Sequence, residues 1–101
     1  MRTLLLAVLI VMARAGTLAG QAAYTRDVPA ALAAKAKVAE DSAVALALAR
    51  VPGGQVEKLV LEHEGGNFVY SLDIKVPGKP GIEEVHVEAI TGRILLVEHE
   101  P

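Results

Sequence analysis

The sequence contains no cysteine and few aromatic residues, and each shortage limits what the protein can be. Without cysteine, neither a disulfide framework nor a lipid-modified N-terminal Cys is possible, so the folded part must be held by its hydrophobic core. The aromatic residues are Tyr24, Phe68 and Tyr70 alone, so aliphatic side chains must do most of the packing. Thiol nucleophiles are also excluded.

The apolar run near the N-terminus is too short to span a membrane. It covers residues 4–12, follows Arg2 and is interrupted by Arg14, whereas a spanning helix needs about 20 apolar residues. A basic start, an apolar stretch and small residues after it are typical of a secretory signal peptide. We therefore predict a signal peptide over residues 1–22 and a periplasmic or secreted product with no stable membrane span. Cleavage is expected after Ala15, Ala19 or Ala22, with the later two favoured because Arg14 adjoins the first.

Removal of residues 1–22 leaves 8 basic residues against 12 acidic ones, a net charge of −4. This mildly acidic balance argues against nucleic acids and anionic membranes as partners. The remaining chain is near the size at which folding alone becomes marginal. Pairing with a second copy or with another protein would bury more surface and so increase the stability of the fold.

Two helices are predicted in the first half of the remaining chain. Residues 23–38 form a leader in which a short helix runs from Pro29 to about Lys35, because proline suits the first helical turn. The main helix runs from about Glu40 to Arg50, with acidic residues at its start and Arg50 at its end, as the helix dipole favours. Its apolar stripe consists of Ala43, Val44, Leu46, Ala47, Leu48 and Val51. Pro52, Gly53 and Gly54 then end it.

Alternating apolar and polar residues predict strands in the second half. The first runs over about residues 55–64, and the second places Phe68, Tyr70, Leu72 and Ile74 on its buried face. After a loop at residues 77–81, the third strand buries Val85, Val87 and Ala89. A turn at Thr91 and Gly92 leads to a last strand in which Ile94 and Leu96 complete the core. The prediction is an α+β fold, with one main helix packed on an antiparallel meander of three to four strands.

Four sequence features follow one another in this chain: an Ala-rich helix ending in V-P-G-G, a strand with E-x-E, a V-Y strand and a final V-x-V-E-A-x-T-G-x-I-L. With these features in this order, residues 39–98 resemble the PepSY domain. Two positions depart from the usual pattern of the family, Ala39 and Glu88. The resemblance implies a cell-envelope or secreted protein that modulates or inhibits a peptidase. This chain contains no peptidase sequence, so the peptidase would be met in trans. The motif positions are Pro52, Gly53, Gly54, Tyr70, Val87, Glu88, Ala89, Thr91 and Gly92.

No catalytic constellation is visible in the sequence. Ser42 and Ser71 lie outside any nucleophile elbow, and nothing suggests a pocket that would desolvate a carboxylate. We predict no enzymatic activity and no cofactor. An alternative function is binding or sensing of a divalent metal through His63, His86 and His99, although none of them has the short spacing of a ligand pair.

Protein binding is the function that the predicted architecture favours. A sheet covered by a helix on one side has an uncovered face and an edge with unpaired N–H and C=O groups, and such an edge can accept an extended segment. Val60, Val69 and Val97 are the apolar residues predicted on the uncovered face. The same edge could pair with a second copy of the chain, so a homodimer is a further alternative.

Overall fold

The computed structural model describes residues 24–101, and the predicted signal peptide lies outside them. This part of the chain folds as one sheet with two helices. No helix in it is long and apolar enough to cross a membrane. In chain order, the elements are β1 (Thr25–Asp27), α1 (Ala30–Ala33), α2 (Glu40–Arg50), β2 (Gln55–Glu64), β3 (Asn67–Lys75), β4 (Ile82–Glu88) and β5 (Ile94–Glu100).

The sheet has five strands in the order β1-β2-β3-β4-β5. Strands β2 to β5 form the predicted antiparallel meander. The prediction of three to four strands was wrong by one strand, because β1 pairs with β2 in parallel. All three residues of β1 are exposed, so its sequence has no alternation of apolar and polar residues that would indicate a strand.

The core lies between the helices and one face of the sheet. From α2 it takes Ala43, Val44 and Ala47, and the buried side chains facing them from the sheet are Leu59, Leu61, Tyr70, Leu72, Ile74, Val85 and Val87. The predicted inward and outward positions of β2, β3 and β4 are therefore confirmed. We call the face toward α2 the helix face and the opposite one the open face.

The end of α2 depends on two glycines for different reasons. Gly53 has a φ of 78°, a left-handed conformation that residues with a side chain rarely adopt. A Cβ at Gly54 would lie only 2.5 Å from Cγ2 of Ile74, so the strand that follows can pass close to the core only if this residue has no side chain. The start of α2 has no side-chain cap, as expected for Ala39.

A β-bulge in β5 corrects two predictions for the last strand. Ile94 pairs with Val87 and Leu96 pairs with His86, so Leu95 is an extra residue between them. Ile94 therefore packs against the core as predicted, whereas Leu96 lies on the open face. Val97 pairs with Val85 and lies on the helix face, not on the open face as predicted.

Candidate functional site

The outer side of β5 is a free sheet edge. Within residues 24–101, β5 pairs with β4 on one side and with no strand on the other. The opposite edge is partly covered, because β1 pairs with residues 58–60 in the middle of β2. An unpaired strand presents N–H and C=O groups to which an extended segment can hydrogen-bond.

The large apolar side chains that are exposed among the described residues all lie at or beside β5. They are Leu46, Ile90, Leu95 and Val97, with between 37% and 44% of each residue accessible to solvent. Two belong to β5 itself, and Ile90 belongs to the turn before it. Leu46 reaches that turn from α2. The Cδ1 atom of Leu46 is so near Gly92 that a Cβ added to this glycine would lie 3.2 Å from it. The free edge of β5 and these four side chains together are called the β5 surface below.

The turn between β4 and β5 is held by the motif residues of the sequence. Glu88 Oε1 accepts hydrogen bonds from the Ile90 amide (3.1 Å), the Thr91 amide (2.8 Å) and the Thr91 hydroxyl (3.0 Å). These bonds, with those from Thr91 first, lower the pKa of the Glu88 carboxyl. Gly92 has a φ of 80° and donates its amide to the Glu88 carbonyl at 2.9 Å. The turn that positions the β5 surface is thus hydrogen-bonded on both its side-chain and backbone sides.

Two further motif positions anchor the segment before α2 to the sheet. The Ala89 carbonyl accepts hydrogen bonds from the amides of Lys37 (3.0 Å) and Val38 (2.9 Å). The Tyr70 hydroxyl donates to the Val38 carbonyl at 2.6 Å. Val87 is fully buried in the core, and the Pro52 to Gly54 stretch ends α2. The motif positions therefore maintain the architecture around the β5 surface.

The three histidines do not lie together. His63 and His99 are on the helix face at opposite ends of the sheet, since His63 pairs with Phe68 at the β2–β3 hairpin and His99 pairs with Glu83 far from it. His86 is on the open face. Each has its own neighbour: the ring of His63 stacks on Phe68 with centroids 5.0 Å apart, His86 Nε2 is 2.8 Å from Glu84 Oε2, and His99 Nδ1 contacts Glu83. The histidine-based metal hypothesis therefore gains no geometric support.

The open face is acidic around the carboxylates of Glu84, Glu98 and Glu100, whose nearest oxygens lie within 4.8 Å of one another. A hydrogen bond between Glu84 and Glu100 lowers the pKa of Glu84 and raises that of Glu100. Ser71 donates its hydroxyl to Glu84 at 3.3 Å. Of the valines predicted as open-face anchors, Val69 is 1% exposed and not available for contact, and Val60 is half-buried.

The sequence predicted a free edge but not its apolar surroundings. Leu46 was assigned to the buried stripe of the helix, and no role was predicted for Ile90 or Leu95. A signal was present for Ile90, because it is a large apolar residue within a turn, where Gly, Pro, Asn, Asp and Ser dominate. The position of Leu46 could not be read in the same way, since its exposure depends on where the sheet ends.

Comparison with known families places these motif residues in context. The chain matches the PepSY family, described as the peptidase propeptide and YPEB domain, over residues 37–98. This match covers more than half of the chain, and the chain belongs to the PepSY family. Neither a curated protein nor a solved structure shows significant similarity to it.

Proposed function

We propose that this chain is an exported, non-enzymatic domain that binds a secreted or cell-envelope peptidase in trans and modulates its activity. Membership of a family described as a peptidase propeptide domain supports the choice of partner. The layout of the N-terminus supports export. The acidic balance of the chain argues against a nucleic acid as the partner.

The observation that carries this proposal is the β5 surface. Four exposed apolar side chains gather where a strand edge is unpaired, whereas scattered single apolar residues would be ordinary for a protein surface. Backbone hydrogen bonds to the edge would hold an extended segment of the peptidase, and the apolar side chains would provide anchoring contacts. If the bound segment belongs to the substrate cleft of the peptidase, its pairing with β5 would block the cleft and inhibit the peptidase.

The proposal is tested with peptidases purified from the secreted and envelope fractions of the same cell. Binding and inhibition are measured with the unaltered protein, with Val97→Lys and with Val60→Lys. Lysine at position 97 would place an ammonium group in the apolar contact, and we expect inhibition about tenfold weaker or worse. Val60 is a matched control, because it is a sheet valine on the open face, away from β5.

The proposal is wrong if none of these peptidases is bound or inhibited by the folded protein. It is also wrong in its choice of surface if Val97→Lys inhibits as well as the unaltered chain. Circular dichroism of each variant establishes that the fold is retained, since both substituted positions are partly exposed.

A further inference from the structure

The charge of β5 changes from one end to the other in a way that suits pairing with itself. Arg93 directly precedes the strand, residues 94–97 are apolar, and Glu98 and Glu100 lie at its far end. Two such strands placed side by side in parallel would bring like charges together. Placed antiparallel, the basic end of each strand faces the acidic end of the other, which is the favourable arrangement for cross-strand pairs.

We propose that β5 pairs antiparallel with β5 of a second copy of this chain, about a two-fold axis at Val97, so that the sheets of the two copies join at this edge. The second copy would thereby cover the β5 surface. Such a contact is isologous, so every pair except that of Val97 with its own copy occurs twice.

The bulge in β5 sets the register of this pairing. Arg93 lies on the open face, because its carbonyl accepts the amide of Glu88, an open-face residue. Leu95 is the extra residue of the bulge, so it does not count as a separate position in the pairing. On that count, Arg93 and Glu100 are the same number of positions away from Val97, in opposite directions along the strand. Both side chains are on the open face, so each Arg93 would lie opposite Glu100 of the other copy.

The remaining pairs in this register contain no like charges. Val97 would oppose Val97 of the second copy on the helix face, and Leu96 would oppose Glu98 on the open face. With the axis at Glu98 instead, the two Glu98 carboxylates would face each other, which is unfavourable. An axis at Val97 also pairs the whole of residues 93–100.

Charge near the strand end supplies an independent reason for this partner. Glu100 lies beside Glu84 and Glu98 in one copy, so three carboxylates crowd the end of the sheet. Within residues 24–101, no lysine or arginine forms an ion pair with any of the three, and His86 Nε2 lies 2.8 Å from Glu84. The guanidinium of Arg93 from a second copy would place a cation next to this group.

The dimer stands on β5 itself, but its consequence rests on the proposed function. A second copy and a peptidase segment would occupy the same strand edge, so only the monomer could bind the peptidase. Dilution would then release the binding surface, and concentrated protein would inhibit less per chain.

The test measures the mass of the protein in solution by sedimentation equilibrium. The protein is expressed from its full-length coding sequence and purified after any processing by the cell. At low salt, we expect a monomer–dimer equilibrium, with Arg93→Glu and Glu100→Arg each raising the dimer dissociation constant about tenfold or more, because two attractive contacts become repulsive. Arg50→Glu, an equal charge change at the exposed end of α2, should leave the dissociation constant unchanged.

The decisive experiment mixes the two variants that are expected to dimerise weakly. A heterodimer of Arg93→Glu with Glu100→Arg restores opposite charges at both contacts, so the mixture should dimerise as tightly as the unaltered protein, and so should the double variant. Arg93 and Glu100 are at opposite ends of β5 in one chain, so this rescue cannot arise within a monomer.

The proposal is overturned if the unaltered protein stays monomeric at its highest soluble concentration, or if it dimerises and neither charge reversal affects the dimer. No peptidase is present in this experiment. A negative result therefore leaves the proposed function standing, and a failed inhibition assay leaves the dimer standing.

Discussion

Tyr70 connects two segments that are distant in sequence. Its ring is buried in the core, and its hydroxyl donates to the Val38 carbonyl just before α2. Burial, with a smaller contribution from the charge of Glu40, raises the pKa of Tyr70, so the hydroxyl stays a donor over the physiological pH range. The bond fixes the path by which the chain enters the helix that covers the sheet.

Replacing Tyr70 by Phe is expected to lower the free energy of unfolding by about 1 kcal/mol, because the Val38 carbonyl loses its donor while the ring stays buried. Urea denaturation followed by circular dichroism measures this directly. An unchanged unfolding midpoint would show that water replaces the hydroxyl at no cost.

For single residues, the sequence predicts which face of the sheet a side chain occupies but not the group to which it hydrogen-bonds. Alternation along β3 predicted that Tyr70 points inward, and it does. Its bond to Val38 depends on how residues 34–39 cross the sheet, and no local pattern specifies that path. The same holds for Glu88, which was recognised as a motif position but whose hydrogen bonds across the turn require the folded geometry.

Side-chain contacts help to hold β1 and the residue before it against the start of α2. The first residue of α2, Glu40, accepts hydrogen bonds from the Tyr24 hydroxyl (2.6 Å) and from Arg26 Nε (3.0 Å) and Nη2 (2.6 Å). The bonds from Arg26, with a further one from Tyr24, lower the pKa of Glu40 despite partial burial. This three-residue strand therefore depends on one carboxylate as well as on its ladder with β2.

Replacing Glu40 by Gln is expected to speed hydrogen exchange of the β1 amides on the order of threefold, the scale of one partly exposed ion pair. Because the folded pKa of Glu40 is depressed, its stabilisation is present above the ordinary value of about 4.3 and is lost as the pH falls through the folded pKa. The unaltered protein should thus approach the variant in acid. Asp41→Asn is the matched control, since it removes a neighbouring charge from the same helical turn; equal effects of the two changes would contradict the assignment to Glu40.

Sequence patterns locate most elements of this fold. The bounds predicted for α2 and β2 coincide with the structure, because each has clear charge or turn signals at its ends. The bulge in β5 was not predictable, since residues 94–97 are all apolar and alternation gives no register there. Its consequence was the misplacement of Leu96 and Val97 on the wrong faces.

Over the whole molecule, the two faces of the sheet differ in what they contribute. The helix face contains the core, whereas the open face carries the crowded carboxylates of Glu84, Glu98 and Glu100. The raised pKa of Glu100 follows first from its hydrogen bond to Glu84 and then from the charge of that group. Negative charge on Glu100 therefore opposes folding at neutral pH.

Replacing Glu100 by Gln is expected to raise the melting temperature of dilute protein at pH 7 by about a degree or more, because one of the three crowded carboxylates loses its charge. Because the folded pKa of Glu100 is raised, its favourable contribution is complete below about pH 4.3 and is lost as the pH rises through the folded pKa. The difference between variant and unaltered protein should disappear in acid. Glu64→Gln, at the exposed β2–β3 hairpin, is the control, and a gain of the same size there would refute a local cause.

The central claim is that the β5 surface is where this PepSY domain meets a protein partner. Hydrogen exchange of the protein, measured with and without a saturating peptidase that it inhibits, tests this most directly. We predict that slowed exchange is concentrated in the amides of Ile94–Glu100 and in the adjoining turn. Slowed exchange confined to β1 or the open face, with β5 unchanged, would contradict the account.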